Sequence, residues 1–362
     1  MKLPNLAGSA FDLSGYTLGA PQRSGVLTVL PLFGQDCPGS FVPPLTGLKL
    51  SQVRGYGNME LTNGAAEGVA IVPLHMGYIQ DGAQNHCLCR SGFLGAGQKL
   101  MFEDACCVQE AQSGYLEGRE QWFFILPLGL REEALTLRGV TNYTKLWKGI
   151  ERLNAQVGLP PRGHLEQIVS RQRAALNPYQ SRFELLTGQI GALFFLGASL
   201  VGIEVAPTSA YFAEVWMPLV CFCYGVSALY AERRDKREAG PPVPFPALSL
   251  AEVRTQLARS RRERQEQALA WLNDLPAEQY AIKEEERYGN LRLHTLQGKN
   301  FAGQLVEVIE PSLVSQRIEE GLPLMLRRLF GARAPEQSAT EEKHLAYLSL
   351  FARAEYLARI GM

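Results

Sequence analysis

The first strong hydrophobic signal is Val26-Leu27-Thr28-Val29-Leu30-Pro31-Leu32-Phe33, an apolar and β-branched run with proline near its end, which predicts a buried strand. From there to about residue 135 the apolar runs are short and broken by glycines. Runs at 58–61, 68–74, 98–102, 105–109 and 121–126 predict a β-rich region. Residues 131–176 turn helical, with amphipathic stretches at 145–157 and 163–176 that end at Gly158-Leu159-Pro160-Pro161 and Asn177-Pro178. Two charge-free runs follow, Leu185–Ile203 and Val215–Ala231, with Arg233-Arg234-Asp235-Lys236-Arg237 behind them. That pattern suits a membrane hairpin at 185–231 with a basic end. The four glycines of the first run, the turn-like Gly197-Ala198-Ser199 and Pro218 in the second favour another reading. In it, a β-hairpin of 191–196 and 200–205 is followed by a buried helix.

Further along, Pro241-Pro242-Val243-Pro244-Phe245-Pro246 is a stiff connector. Ser249 and Glu252 form a capping box that opens a helix to about Leu272. Residues 280–310 return to strands, and 312–330 and 340–360 read as two closing helices. The pattern predicts an α+β fold with a β-rich core formed from the N- and C-terminal segments and peripheral helices. Residues 1–24 are expected to be a flexible lead-in. Residues 25–310 form one domain with a helical insertion at about 247–273, and 311–362 a C-terminal helical segment. Tyr56-Gly57-Asn58-Met59-Glu60-Leu61 is echoed by Tyr288-Gly289-Asn290-Leu291-Arg292-Leu293, a recurrence that strand-entry chemistry explains without an internal repeat.

Composition narrows the partners. The 362 residues carry 36 Lys plus Arg against 36 Asp plus Glu, so no global field attracts nucleic acid or an anionic membrane. Met1–Phe11 lacks the apolar run of a leader, and the seven cysteines fall as one single and three close pairs that are poorly placed to bridge each other. Free thiols in the cytoplasm are the expectation. Arg254, Arg259, Arg261, Arg262 and Arg264 on the 249–272 helix are diluted by Glu252, Glu263 and Glu266, so that helix reads as a solvated face that suits a protein partner. The apolar positions Leu345, Leu348, Leu350, Phe351, Tyr356 and Leu357 suggest a contact face, and with it a homo-oligomer.

Several motifs invite chemistry. Gly92-Phe93-Leu94-Gly95-Ala96-Gly97-Gln98-Lys99 fails as a phosphate loop, because Gln98 holds the lysine slot, and reads as a glycine turn between strands. Cys87 and Cys89 share a strand face whereas Cys106 and Cys107 point oppositely, so at most three thiols converge. Their spacing is not that of structural zinc, and buried small hydrophobes is the expected role. The five histidines show no pairing, and hydrolase, zincin and dinucleotide signatures are missing. No metal, cofactor or catalytic residue is assigned. The turn Gly82-Ala83-Gln84-Asn85-His86 places two amides side by side. Each can donate and accept, toward a nucleotide edge or toward the loop's own backbone.

Taken in order, the strand at 27–32, the turn at 82–86, Ala105-Cys106-Cys107-Val108-Gln109-Glu110, the glycine-rich 188–205 and the helix around Trp216-Met217-Pro218-Leu219 resemble a bacterial domain family. That family is named for its association with ADP-ribosylglycohydrolases and rhodanese-phosphatases. Its pattern runs G-A-K-Q-N-R in the turn and V-S-C-V-E before an R-W. This chain keeps Gly82, Ala83, Gln84, Asn85, Cys107 and Val108. It lacks the lysine, has His86 for the arginine and Gln109 for the glutamate with Glu110 one place late, and no R-W follows. The resemblance implies a setting linked to NAD and ADP-ribose, with the charged members of any site lost. Gln84, Asn85, His86, Cys107 and Glu110 become the candidate ligand-binding residues, for a nucleotide-like small molecule. The leading expectation is a non-catalytic ligand-sensing or assembly component. A self-assembling structural homo-oligomer is one alternative. The other is an enzyme acting on an ADP-ribose-like phosphoester through Glu103, Asp104 or Glu110.

Overall fold

The computed structural model describes residues 11–53, 56–80, 84–110, 121–235, 247–273, 278–311 and 341–362. The strands are β1 (Thr17–Leu18), β2 (Gln22–Ser24), β3 (Leu27–Phe33), β4 (Leu48–Gln52), β5 (Met59–Asn63), β6 (Val69–Ile71), β7 (Met76–Gln80), β8 (His86–Cys87), β9 (Phe93–Gly95), β10 (Lys99–Phe102), β11 (Cys106–Cys107), β12 (Gln121–Ile125), β13 (Gln189–Leu196), β14 (Ser199–Val205), β15 (Ala281–Tyr288), β16 (Leu291–Gln297), β17 (Phe301–Pro311) and β18 (Glu341–Ala352). A single large sheet runs β1-β3-β13-β14-β18-β17-β16-β15, with β2 also on β3. β13 and β14 sit inside it and bury nearly every residue, as a continuous apolar run in a doubly covered strand must. The expected hairpin at 191–205 is therefore the middle of the sheet, flanked by strands from both ends of the chain. Edge strand β15 carries Lys283-Glu284-Glu285-Glu286-Arg287 and is largely exposed, a charge run that discourages further pairing. β4 to β12 form three smaller sheets. These dock on the large one through Leu74 N–H to the Tyr347 hydroxyl (2.8 Å) and Ser91 N–H to Gln304 Oε1 (2.7 Å).

The helices are α1 (Pro44–Gly47), α2 (Leu128–Thr136), α3 (Trp147–Gln156), α4 (Glu166–Arg171), α5 (Arg173–Arg182), α6 (Ser209–Met217), a π-helical stretch (Pro218–Tyr224), α7 (Gly225–Asp235), α8 (Leu250–Asn273) and α9 (Ala354–Arg359). Thr208 caps α6 by accepting from Tyr211 N–H. Ser249 Oγ accepts from Glu252 N–H at 3.2 Å, while the Glu252 carboxylate accepts from Leu248 N–H, one residue before the N–H used in the usual capping box. The helix 209–234 is the one described helix long and apolar enough to cross a membrane, and 72% of its most apolar window is buried inside the protein. Its partner in the membrane-hairpin reading, 185–203, is mostly strand.

Three expectations need correction. The 340–360 segment is not one helix: 341–352 is β18, hydrogen-bonded between β14 and β17, and only 354–359 is helical. A slot open on both sides decided between two readings of one apolar run. Its apolar stripe is consequently mostly interior, with Leu348, Leu350 and Phe351 buried and Leu357 the buried residue of α9. The lead-in is ordered from Phe11 onward, where Leu13 and Leu18 are buried and β1 and β2 pair with β3. The segments 1–10 and 312–330 lie outside the described residues. The two Tyr-Gly-Asn echoes both enter the second strand of a hairpin after a positive-φ glycine, but in different sheets.

Where α2, β14, β18 and the π-helical stretch meet, Arg131 is completely buried. Its guanidinium donates to Glu204 Oε1 (2.6 Å), to His75 Nδ1 (3.3 Å), to the Tyr224 hydroxyl (3.4 Å) and to Ser349 Oγ, and lies 4.6 Å over the Phe351 ring. Tyr224 donates to the same carboxylate at 2.7 Å. Pro218 has no N–H for an α-helical bond, and the widened turn that follows it delivers Tyr224 to this network. His75, at φ 63°, is the one described non-glycine residue in the left-handed region.

Candidate functional site

The structure brings Gln84, Asn85, His86 and Cys107 into one neighbourhood, while the Glu110 side chain turns to Gly163. β8 pairs antiparallel with β11, setting His86 opposite Cys107 and Cys87 opposite Cys106. Asn85 is locked from both sides of its backbone: its N–H donates to Gln109 Oε1 (3.0 Å) and its carbonyl accepts from Val108 N–H (2.9 Å). The Cys107 Sγ lies 3.2 Å from the Gln109 carbonyl and 3.3 Å from Gln84 Oε1, two acceptors for its one proton, and the half-buried Gln84 amide stands over it. Asn85, His86 and Cys107 are buried, whereas Glu110 is exposed and its carboxylate accepts from Gly163 N–H at 2.8 Å. Gly82 and Ala83 lie outside the described residues.

The titratable members are held away from reactive forms. Burial pushes the Cys107 thiol above its ordinary value, which disfavours the thiolate. Burial lowers His86, and both its ring nitrogens are engaged, Nδ1 with the Gln84 carbonyl (2.8 Å) and Nε2 with Gly57 N–H (3.3 Å). That pattern defines a neutral imidazole protonated on Nδ1. Of the three carboxylates considered for phosphoester chemistry, Asp104 accepts from Gly139 N–H (2.7 Å), Glu110 is committed to Gly163, and Glu103 is exposed.

The other thiols converge as the strand faces required. Cys89 Sγ lies 3.3 Å from Cys106 Sγ, Cys87 bonds the same Cys106, and all three are fully buried. Among the described residues no group of three His, Cys, Asp or Glu could hold a metal ion.

Three aromatic residues not marked from sequence adjoin this turn. Tyr56, 54% exposed, stacks on Tyr143 with centroids 4.9 Å apart. Tyr143 meets Trp147 edge-on at 5.8 Å, and Trp147 Nε1–H donates to the Cys107 carbonyl at 3.0 Å. His164, which looks isolated in sequence, forms a β-bridge with Gln109 and lies 3.6 Å from Glu166 Oε2. Gln109 Nε2, Asn154 Oδ1 and His164 Nε2 are buried without a hydrogen-bond partner. Only the two-residue spacing of His164 and Glu166 hinted at their proximity. A cleft of 1210 Å³ lies elsewhere, between 11–17, 33–38 and the β15–β18 face. In it Glu307 lies 3.8 Å from Lys343 and 3.3 Å from His294, and Asp36 caps Ser209 N–H at 3.0 Å.

Burial also lowers His75 and His164, so three histidines are kept neutral in the fold. The unfolded chain takes up protons near the ordinary histidine value of ~6.5, and the folded chain resists them. Stability is therefore present above that pH and lost as pH falls below it. The thermal midpoint should be lower at pH 5.5 than at pH 7.5, and His86→Gln should flatten the slope. Equal midpoints at the two pH values in the parent protein would contradict this.

A family model described as the ARG and Rhodanese-Phosphatase-superfamily-associated Protein domain matches residues 15–310. No curated protein and no solved structure matches the chain.

Proposed function

The chain belongs to the ARG and rhodanese-phosphatase-superfamily-associated domain family, and from that premise we propose that it is a non-catalytic, ligand-sensing component in an ADP-ribose-linked setting. The ligand site in this reading is the turn of Gln84, Asn85 and His86 with Cys107 and Glu110. The observation that carries it is the approach of Gln84 Oε1 to the Cys107 thiol at 3.3 Å, beside an Asn85 backbone and a His86 imidazole that are both hydrogen-bonded in place. That approach orients the amide, and with the neutral groups around it makes a pre-organised rim that recognises without reacting. Catalysis is disfavoured because the thiol is protonated, the imidazole neutral and doubly bonded, and the Glu110 carboxylate tied to backbone.

Calorimetry with ADP-ribose is the direct test. Binding is expected, with ADP-ribose recovered unchanged, and Gln84→Ala should weaken it by about 2–10-fold, the worth of one neutral hydrogen bond. Absence of heat at millimolar ligand overturns the reading. Turnover that disappears in Glu110→Gln would instead support the phosphoester enzyme.

A further inference from the structure

We infer that Tyr56, Tyr143 and Trp147 form a stacking subsite for a planar nucleobase, extending the Gln84 turn. This rests on the ligand-binding reading above and names the part of the ligand that reading leaves open. One face of Tyr56 lies against Tyr143 while the residue stays 54% exposed, so among the described residues its ring is open enough to take a second aromatic plane. The strip is tied to the turn: the imidazole of His86 bonds Gly57 N–H on one nitrogen and the Gln84 carbonyl on the other. A single ring therefore separates the backbone of Tyr56 from that of Gln84.

The platform is rigid. Lys145 Nζ donates to the carbonyls of Asp104 (2.7 Å), Leu137 (3.0 Å) and Val140, and Asn142 Oδ1 accepts from Thr144 N–H (3.1 Å) and Oγ1 (3.0 Å). These bonds pin the loop that carries Tyr143. At Gly57, φ 86°, an added Cβ would stand 2.9 Å from Tyr143 Cβ, so only glycine lets the backbone lie flush beneath the stack. An exposed ring on so fixed a support has lost its ordering entropy before a ligand arrives. Stacking on such a ring tolerates any base, because every base has a π-face, and each stacked base contributes roughly 10-fold or more in affinity. The Gln84 side chain, its Oε1 toward Cys107, adds an amide on the same turn to what stacking supplies.

The test titrates AMP, ribose 5-phosphate and ADP-ribose into the full chain and its Tyr56→Ala and Tyr56→Phe variants, with circular dichroism as the folding control. AMP and ADP-ribose are expected to bind at least 10-fold more tightly than ribose 5-phosphate. Tyr56→Ala should weaken AMP by about 10-fold and Tyr56→Phe by less than about 2-fold, since the ring and not the hydroxyl does the stacking. Binding of ADP-ribose that is weakened by Gln84→Ala but indifferent to Tyr56→Ala, with ribose 5-phosphate equal to AMP, overturns the subsite and leaves the ligand-sensing reading standing. Failure of all three probes overturns both.

Discussion

Arg131→Met is expected to destabilise the protein by about 3–5 kcal/mol, the cost of leaving a buried charge without its partner. Glu204 is 4% exposed, and its carboxylate is held by the Arg131 guanidinium and the Tyr224 hydroxyl. With methionine in place the apolar volume is roughly kept, so lost packing contributes little and the orphaned carboxylate dominates. Ser349 Oγ and His75 Nδ1 lose a donor as well. The double variant Arg131→Met with Glu204→Leu should recover much of the loss, because replacing both members of a buried pair is often close to neutral. Urea unfolding of the three variants measures both effects. A single-variant loss below ~1 kcal/mol would mean that water or the surrounding hydroxyls solvate Glu204 well enough without the arginine.

Gly303→Ala should cost at least ~3 kcal/mol, beyond the ordinary range for an added methylene. Gly303 lies in β17 opposite Leu350 of β18 and Leu296 of β16. A Cβ there would stand 2.0 Å from the Ser349 carbonyl oxygen and 2.9 Å from Leu350 Cα. Both are backbone atoms in the interior of a sheet, so no rotamer change relieves the clash and the two strands must part. Gly129→Ala is the control, since the added methyl meets only Leu153 at 4.0 Å and alanine favours the helix it joins. Equal midpoints for Gly303→Ala and the parent would show that β17 and β18 can separate freely. Because Ser349 also bonds Arg131, the Gly303 and Arg131 variants share a neighbour and should not add.

The elements most legible in the sequence are those whose environment leaves one option. The run 189–196 is buried on both faces and turns at Gly197, and a hairpin is the compact way to bury it. Within Gly92 to Lys99, Phe93–Gly95 is β9 and residues 96–98 are the glycine turn into β10, in keeping with the mismatch to a phosphate loop. The 341–352 run reads as helix in sequence because Leu345, Tyr347, Leu348, Leu350 and Phe351 form an apolar stretch, broken at Ser349, among good helix formers. Such a stretch fits a buried helix or a central strand equally, and only the open slot between β14 and β17 discriminates. In the candidate site the amide turn and its thiol neighbour follow from chain order. The stack of Tyr56 on Tyr143 does not, since it joins residues far apart in sequence on two loops whose approach is set by Gly57 and Lys145.

The position of β18 bears on how the chain reaches its final state. It follows β14 and β17 in sequence but lies between them in space. Until residues 341–352 arrive, both neighbours hold bare edges of the kind that recruit foreign strands. The family match ends at residue 310, before this strand, so a fragment cut to the matched range would expose two complementary sticky edges in every copy. Emergence of 341–352 is then the event that joins the two partial sheets, and the interval before it is when a chaperone would be most needed.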